Sequence, residues 1–327
     1  MISLNLTNKN MRISILEPLG LPKEEVYSIA KPLINKGHKI IFYEDKIEDT
    51  EILKERAKGA DVLVLANMPL NAEVIRSDEN LKMVSVAFTG IDHVDTKACI
   101  DKNIRVCNAA GYSTSSVAEL TYGLIFSVFR NIVPLDKVTR ESGTRVGFSQ
   151  SELLGKTIGI VGTGAIGIRV GEIAKAFGCK VLAYSRTQKQ QAIDLGFEYV
   201  SLDELVSGSD VISLHVPLNN ETRGMLSKEK INLMKPSAIL INTARGSVID
   251  NIALAEALKQ SKIAGAGIDV FEIEPPIEKM NPLFNIPNVV VTPHIAFATK
   301  EAMYRRAKIT FDNIEKWIEG NPQNIML

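Results

Sequence analysis

A glycine-rich turn between two short apolar segments is the feature that most constrains the fold of this chain. Residues 156–186 read KTIGIVGTGAIGIRVGEIAKAFGCKVLAYSR. The segment 157–161 is apolar and rich in β-branched side chains, which is typical of a buried parallel strand. Glycines at GxGxxG spacing follow it, then a helical pattern to residue 177 and a second strand at 180–184. This strand–turn–helix–strand order predicts a dinucleotide-binding unit.

Each glycine of the turn has a separate physical task in such a unit. Gly162 permits a tight turn, Gly164 lets a pyrophosphate approach the backbone, and Gly167 lets helix and strand pack closely. The helix N-terminus at Ala165 and Ile166 offers backbone N–H groups to the phosphates. We therefore place all five residues in the cofactor site. An ordinary glycine-rich turn is the alternative interpretation, and the flanking strands and helix make it the weaker one.

The end of the second strand bears on which dinucleotide binds. NAD-binding units usually place Asp or Glu about 20 residues beyond the glycines, where it holds the ribose hydroxyls. Here that place holds Ser185, followed by Arg186. Without an acid there is no repulsion of a 2′-phosphate, and the Arg186 guanidinium is suited to pair with one. The segment predicts NAD or NADP, with NADP favoured, and the alternative is that Arg186 only stacks on adenine.

Length and composition indicate a globular protein of about two domains. In 327 residues, 38 basic side chains balance 38 acidic ones, which argues against nucleic acid or a membrane surface as the main partner. No apolar run approaches the ~20 residues of a membrane span. The N-terminus lacks the pattern of a secretory signal, and the three cysteines are scattered. We therefore expect a cytoplasmic protein without disulfides or a metal site.

The rest of the chain alternates apolar strands with helical stretches, which predicts α/β domains with parallel sheets. Before the glycine-rich turn, strands are expected at 12–16, 39–43, 61–66, 83–88 and 104–107, with helices at 23–36 and 50–58. A long apolar helix is expected at 113–131 and a polar linker at 140–151. Beyond the turn, we expect strands at 211–215, 238–242, 265–270 and 289–292, and an amphipathic helix at 300–319.

Polar residues gather where the later strands end, and ligands of doubly wound sheets bind beyond those ends. Arg245 offers a planar fork suited to a carboxylate or a keto oxygen, although it is also suited to capping a helix or bridging domains. His294 belongs to the residue type that exchanges protons near neutral pH. A nearby carboxylate would orient that imidazole and favour its charged form. From the residues alone, Glu272, Glu274 and Glu278 are equally possible as the carboxylate that orients His294.

Seven segments of the chain, taken in order, resemble the D-isomer-specific 2-hydroxyacid dehydrogenases, and the resemblance covers nearly everything from residue 11 onward. They are TGIDH at 89–93, SVAE at 116–119, GTGAIG at 162–167, HVP at 215–217, NTARG at 242–246, DVFE and EP within 269–275, and TPHIA at 292–296. The resemblance implies two Rossmann-like domains with a substrate cleft between them. It also implies hydride transfer between a nicotinamide and a small or apolar 2-keto or 2-hydroxy acid.

The resemblance further implies how the domains divide. Residues 11–108 plus 298–327 form a flavodoxin-like substrate-binding domain that the C-terminal helix completes, and residues 109–297 form the dinucleotide-binding domain. A homodimer joined largely through the cofactor domains is expected.

Roles of single residues follow from the same resemblance. The catalytic residues are Arg245, Glu274 and His294, with His294 as the acid/base that Glu274 holds. Substrate contacts fall on Met68, Thr89, Gly90, Arg245 and His294. Beyond the turn, Ser185 and Arg186, the cofactor site takes in Thr114, His215, Val216, Pro217, Thr222, Thr243, Ala244, Arg245, Asp269, His294 and Ala296, with Asp269 at the position that binds the carboxamide.

Two other functions stay open as alternatives. Phosphite-oxidising relatives are similar around Met68-Pro69, but they carry lysine where this chain has Thr89. A dinucleotide-sensing, corepressor-like binding protein is the second alternative, and the presence of Arg245, Glu274 and His294 favours catalysis over it. Relatives that bind phosphorylated substrates tend to carry arginine near Met68, so a phosphorylated substrate is disfavoured.

Overall fold

The computed structural model describes residues 10–327, and the chain divides into two compact units. The first unit takes in Met1–Ser113, described from residue 10, together with Ala298–Leu327. The second unit is the continuous segment Thr114–Phe297. Each unit is built around its own parallel sheet.

The elements alternate along the chain as expected for α/β units. The strands are β1 (Arg12–Ile15), β2 (Lys39–Phe42), β3 (Val62–Leu65), β4 (Met83–Val86), β5 (Arg105–Asn108), β6 (Thr157–Val161), β7 (Lys180–Tyr184), β8 (Glu198–Tyr199), β9 (Val211–Leu214), β10 (Ile239–Asn242), β11 (Gly265–Ile268) and β12 (Val289–Val291). The α-helices are α1 (Lys23–Asn35), α2 (Thr50–Ala57), α3 (Ala72–Arg76), α4 (Thr96–Asp101), α5 (Thr114–Phe129), α6 (Ile132–Arg140), α7 (Ala165–Ala176), α8 (Gln190–Asp194), α9 (Leu202–Gly208), α10 (Lys228–Asn232), α11 (Asn251–Lys259) and α12 (Lys300–Ile318). A short 3₁₀ helix spans Gly246–Val248.

The sheet of the first unit has the strand order β2-β1-β3-β4-β5, which is the flavodoxin-like order. Its strands β3 and β4 are buried along their whole length because helices cover both faces. Helix α12 packs against α1 and β4, and its side chains Phe311, Ile314 and Ile318 enter the core of this unit. Thr299 begins the helix by accepting a hydrogen bond from the Ala302 N–H (3.1 Å).

The sheet of the second unit has the order β12-β11-β10-β9-β6-β7-β8, all parallel. The chain leaves β6 toward β7 and β8 on one side, and it later returns to the other side through β9. This reversal makes the carboxyl ends of β6 and β9 the switch point at which ligands of such sheets bind. The predicted doubly wound, Rossmann-like fold is therefore confirmed.

The strands predicted from the apolar runs are confirmed, with ends that differ by one or two residues. The helix predicted at 113–131 is α5, which packs against α7 and the strands β10, β11 and β12. Two elements were not predicted from the sequence. They are β8, which has two residues, and α6, which Asn131 separates from α5 by a left-handed backbone conformation (φ 50°). The predicted linker is irregular beyond Arg140, where residues 141–151 form turns and bends.

Two further observations concern the described residues 10–327. None of their helices is both long and apolar enough to cross a membrane. Cys99, Cys107 and Cys179 are buried free thiols, and burial raises the pKa of Cys99 and of Cys107 to about 11. Both groups therefore remain protonated near neutral pH.

Candidate active site

A buried carboxylate fixes the turn that carries His294. Asp269 follows β11 and is fully buried. Its Oδ1 accepts hydrogen bonds from the Thr292 hydroxyl (2.6 Å) and the Ile295 N–H (2.9 Å), and its Oδ2 accepts one from the Ala296 N–H (2.9 Å). Its backbone carbonyl accepts a further hydrogen bond from the His294 N–H (2.8 Å). The backbone is thus held on both sides of His294.

The same turn places His294 in a strained backbone conformation. Its φ is 52°, in the left-handed region that residues other than glycine rarely occupy. Burial raises the pKa of Asp269, while the three donors to its carboxylate act in the opposite direction. The hydrogen bonds to Asp269 therefore offset two free-energy costs, namely the burial of a carboxylate and the strained backbone of His294.

Of the three glutamates considered from the sequence, Glu274 is the one in contact with His294. Its Oε1 lies 2.7 Å from the His294 Nδ1, with the two side chains 15% and 27% exposed. Its Oε2 accepts a hydrogen bond from the Phe271 N–H (3.1 Å), which fixes the carboxylate relative to the end of β11. Glu272 and Glu278 are exposed. The pair is therefore partly shielded from water and geometrically defined.

Arg245 lies at the same edge of the sheet, after β10. The Asn242 side chain holds its segment, because the Asn242 Nδ2 donates to the Arg245 carbonyl (2.9 Å) and the Asn242 Oδ1 accepts from the Ala244 N–H (3.0 Å). Gly246 comes next, and a Cβ added there would lie 2.1 Å from the Phe271 carbonyl carbon. Only glycine permits this approach, which brings the segment of Arg245 into backbone contact with the segment that leads to Glu274.

The glycine-rich turn has the shape that a pyrophosphate requires. A Cβ on Gly167 would lie 1.9 Å from the Gly162 carbonyl oxygen, so close packing of α7 against β6 depends on glycine there. Gly164 is exposed, with nothing within 4 Å of an added Cβ, and no side chain caps the α7 N-terminus that it begins. Ala165 is also exposed and Ile166 partly so. These residues fit a dinucleotide phosphate at the helix N-terminus.

The neighbouring loops carry the remaining cofactor-site candidates of the second unit. The His215 Nε2 lies 2.8 Å from the Ser213 hydroxyl, and burial lowers the pKa of His215 to about 3, so its imidazole is neutral near pH 7. The Thr222 hydroxyl donates to the Pro217 carbonyl (2.6 Å), which shapes the loop after β9. Thr222, Thr243 and Ala296 are buried, whereas Thr114, Val216 and Ala244 are partly exposed.

The end of β7 holds a contact that the sequence analysis did not anticipate. Ser185 is partly exposed, and the Arg186 Nη1 lies 2.6 Å from the Glu221 Oε2. Glu221 belongs to the loop after β9, 35 residues further along the chain. No pattern within either loop could have revealed this ion pair, since it depends on which strands are neighbours.

The substrate-site candidates Met68, Thr89 and Gly90 lie in the first unit, after β3 and β4. The Asn108 Nδ2 donates to the Thr89 carbonyl (2.7 Å), and the Asn313 Nδ2 of α12 donates in turn to the Asn108 carbonyl (2.8 Å). Asn108 and Asn313 are both buried. The turn at Thr89 is thus tied to the C-terminal helix through two amide side chains that sequence reasoning missed.

Glu17 plays the same part for the loop after β3. It is 2% exposed, and its Oε1 accepts hydrogen bonds from the Ala66 N–H (2.7 Å) and the Met68 N–H (2.8 Å). The Met68 side chain is itself fully buried in this unit. Among residues 10–327, no group of three or more His, Cys, Asp or Glu side chains is placed to hold a metal ion.

Comparison with known proteins gives consistent matches. Residues 122–296 match the sequence model of the family described as D-isomer specific 2-hydroxyacid dehydrogenase, NAD binding domain. Glyoxylate reductase from Thermococcus litoralis is 39% identical over 306 residues, which cover 90% of this chain and 92% of that protein. Glycerate dehydrogenase from Methylorubrum extorquens is 38% identical over 301 residues, covering 89% and 93%.

A solved structure of an acyclic imino acid reductase in complex with NADPH and D-Arg is similar over almost the whole chain. Its TM-score is 0.87 at 33% sequence identity, and the match covers 97% of this chain and 100% of that one. Both units of the fold are therefore represented in this relative.

The role of Asp269 in holding the His294 turn can be tested without any substrate. In Asp269→Asn, the side-chain NH₂ group faces one of the donor groups from which the wild-type carboxylate accepts a hydrogen bond. One charge-assisted hydrogen bond, worth about 1.5–3 kcal/mol, is therefore lost. We expect the amides of residues 292–297 to exchange with D₂O at least about tenfold faster, as measured by mass spectrometry.

The matched control is Asp210→Asn, which removes a carboxylate that accepts from the Thr157 N–H (2.8 Å) elsewhere in the same unit. Exchange at 292–297 should not change in this variant. Equal exchange of that segment in wild type and Asp269→Asn would contradict the role given to Asp269.

Proposed function

Because this chain belongs to the D-isomer-specific 2-hydroxyacid dehydrogenases, we propose that it reduces a small 2-keto acid to the 2-hydroxy acid, or the reverse, with His294 as acid/base. The chain is an oxidoreductase of that family, and the family's NAD-binding domain accounts for residues 122–296. The observation that carries the proposal is the 2.7 Å contact between Glu274 and the His294 Nδ1, in a turn fixed by Asp269.

His294 moves the proton in this scheme. When bound, the nicotinamide supplies or accepts the hydride at the substrate C2. Since the His294 Nδ1 faces Glu274, proton transfer is assigned to Nε2. The Glu274 carboxylate orients the imidazole, so that the protonated ring presents its Nε2–H to the substrate oxygen in reduction. In the oxidative direction, the neutral imidazole accepts the proton from the hydroxyl group.

Arg245 binds the substrate and stabilises charge. Its guanidinium presents two parallel N–H donors. They match either the two oxygens of a carboxylate, or one carboxylate oxygen together with the adjacent keto oxygen. As negative charge develops on that oxygen, the interaction strengthens, which favours the transition state over the bound ground state. The backbone N–H groups of Thr89 and Gly90 are proposed to bind the carboxylate, with Asn108 holding the Thr89 carbonyl in place.

The cofactor is proposed to lie along the carboxyl ends of β6, β9 and β10. Gly164, Ala165 and Ile166 would hold the pyrophosphate at the α7 N-terminus, while Asp269 and Ala296 would lie near the carboxamide. The remainder of the cofactor site would be lined by Thr114, His215, Val216, Pro217, Thr222, Thr243 and Ala244. Ser185 supplies no charge against a 2′-phosphate, and the imino acid reductase described above was solved with NADPH. We therefore propose NAD or NADP, with NADP favoured.

A small substrate is supported by what the relatives are named for, namely glyoxylate reduction and glycerate oxidation. Met68 stands where relatives with phosphorylated substrates tend to carry a cation. Its side chain is fully buried, and Glu17 fixes its backbone, so this loop offers no positive charge at that position. Glyoxylate and hydroxypyruvate are accordingly the first substrates to test, ahead of phosphorylated hydroxy acids.

The proposed reaction is tested by following absorbance at 340 nm with NADH and NADPH against glyoxylate, hydroxypyruvate, pyruvate, 2-ketoisocaproate and phenylpyruvate. We expect turnover with glyoxylate or hydroxypyruvate to exceed turnover with the bulky acids, and at least one cofactor to be oxidised. No oxidation of either cofactor with any acid, by protein that binds a dinucleotide, would contradict the proposed function.

The acid/base role is tested with His294→Ala and Glu274→Gln. Loss of the proton donor should lower kcat by at least about 100-fold in His294→Ala, with dinucleotide affinity nearly unchanged. Glu274→Gln keeps the shape of the side chain but loses its charge, so we expect a smaller loss of kcat than in His294→Ala. Wild-type kcat in His294→Ala would remove His294 from this role.

The chain is further proposed to form a homodimer through α6 and the segment after it. No residue of α6 is buried, and Ile132 and Val133 are 50% and 57% exposed. Val146 and Leu154, further along, are 84% and 73% exposed. An apolar surface of this kind is typical of an interaction site, and a second copy is the occupant that the family resemblance indicates.

Light scattering tests the dimer. Wild-type protein is expected at twice the chain mass, and Val133→Glu should move it toward the monomer because a charge would be buried at the interface. Ile252→Glu is the matched control, since Ile252 is 67% exposed on α11 and should leave the mass unchanged. A monomeric wild type at micromolar concentration would contradict the proposal.

A further inference from the structure

Glu221 and Arg186 form an ion pair over the end of the strand from which the glycine-rich turn leaves. Arg186 follows β7 and Glu221 belongs to the loop after β9, and these strands flank β6 on its two sides. The Arg186 Nη1 and the Glu221 Oε2 are 2.6 Å apart. The pair therefore spans the carboxyl end of β6, where the adenosine half of a dinucleotide would be read.

The backbone that carries Glu221 is fixed, while its side chain is open to solvent. The Asn219 Oδ1 accepts hydrogen bonds from the Glu221 N–H (2.9 Å) and the Thr222 N–H (3.0 Å), and the Thr222 hydroxyl accepts one from the Asn219 N–H (2.9 Å). The side chains of Arg186 and Glu221 are 72% and 64% exposed. An ion pair so exposed contributes little to stability, so the fold does not require it.

Glu221 is also the sole acid in the two loops concerned. Residues 185–189 and 215–224 contain the cations Arg186, Lys189 and Arg223, and Glu221 is their one carboxylate. The negative charge that an NAD-binding unit usually carries at the end of its second strand is thus missing at Ser185. It is present on the opposite loop instead.

We infer that Glu221 is a specificity-determining residue for the cofactor, supplied from the loop after β9 in place of an acid at position 185. This inference rests on the proposed dinucleotide-dependent function and refines it. The Glu221 carboxylate repels a 2′-phosphate, competes with it for Arg186 and can accept a hydrogen bond from an unphosphorylated ribose hydroxyl. Arg186 attracts the phosphate, so the balance between NAD and NADP is set by the pair rather than by Ser185 and Arg186 alone.

The size of the effect follows from the charges. A phosphate monoester carries close to two negative charges at neutral pH. Removing one nearby carboxylate charge at the protein surface, and releasing Arg186 at the same time, should tighten NADP binding roughly tenfold. For NAD, Glu221→Gln only exchanges a carboxylate acceptor of the ribose hydroxyl for an amide oxygen, which still accepts a hydrogen bond. The effect on NADP should shrink at high salt, because exposed charges are screened.

The test is isothermal titration calorimetry of the full chain with NAD⁺ and with NADP⁺. In Glu221→Gln we expect the Kd for NADP⁺ to fall about tenfold while the Kd for NAD⁺ changes by less than about threefold. The matched control is Glu198→Gln, which removes a similarly exposed carboxylate paired with Lys180 (2.7 Å) on the same sheet. Both Kd values should stay at wild-type levels in this variant.

Two results would overturn the inference, and they are distinguishable. If wild type binds both dinucleotides and Glu221→Gln leaves the ratio of their Kd values within twofold, Glu221 does not read the cofactor and the proposed function stands. If wild type binds neither dinucleotide, the proposed function fails together with this inference. An unchanged thermal midpoint in Glu221→Gln verifies that the variant is folded, as expected for a side chain so exposed.

Discussion

The hydrogen bonds to the buried carboxylate of Asp269 are the interactions on which the sheet edge that carries Glu274 and His294 depends. A buried carboxylate without hydrogen-bond partners would not be stable. A histidine with a left-handed backbone conformation would not persist in a turn that no hydrogen bonds hold. Each condition is met by the same hydrogen bonds, three to the side chain and one to the carbonyl. His294 is consequently placed before any ligand arrives, and Glu274 needs only to orient its ring.

The same principle recurs at other strand ends, with different side chains. Glu17, after β1, holds the backbone of the loop after the adjacent β3. Asn108, at the end of β5, holds the turn after the adjacent β4, and Asn242 of β10 holds the segment of Arg245. In each case a buried polar side chain satisfies backbone groups of a loop that has no regular partner. Rigid loops in both units therefore arise from a few buried amides and carboxylates.

Much of this arrangement could be predicted from the sequence, and the parts that could not share a physical cause. Apolar runs and the glycine spacing indicated the strands, the sheet type and the switch point, because those signals are local. From the residues alone, any of three glutamates could have been the partner of His294. The resemblance pointed to Glu274, and the structure places that residue in contact. Glu17, Asn108 and the Arg186–Glu221 pair gave no local signal, since their partners are set by strand order rather than by neighbouring sequence.

The division of the chain has a consequence for its synthesis. The second unit is one continuous segment, Thr114–Phe297, whereas the first unit takes Phe311, Ile314 and Ile318 into its core from the end of the chain. On the ribosome, residues 114–297 are therefore all available for folding before α12 has been made. The sheet whose strands are translated first is therefore completed later, because its face against α12 is covered only once α12 has been translated. Nascent chains consequently expose that face throughout the synthesis of residues 114–297.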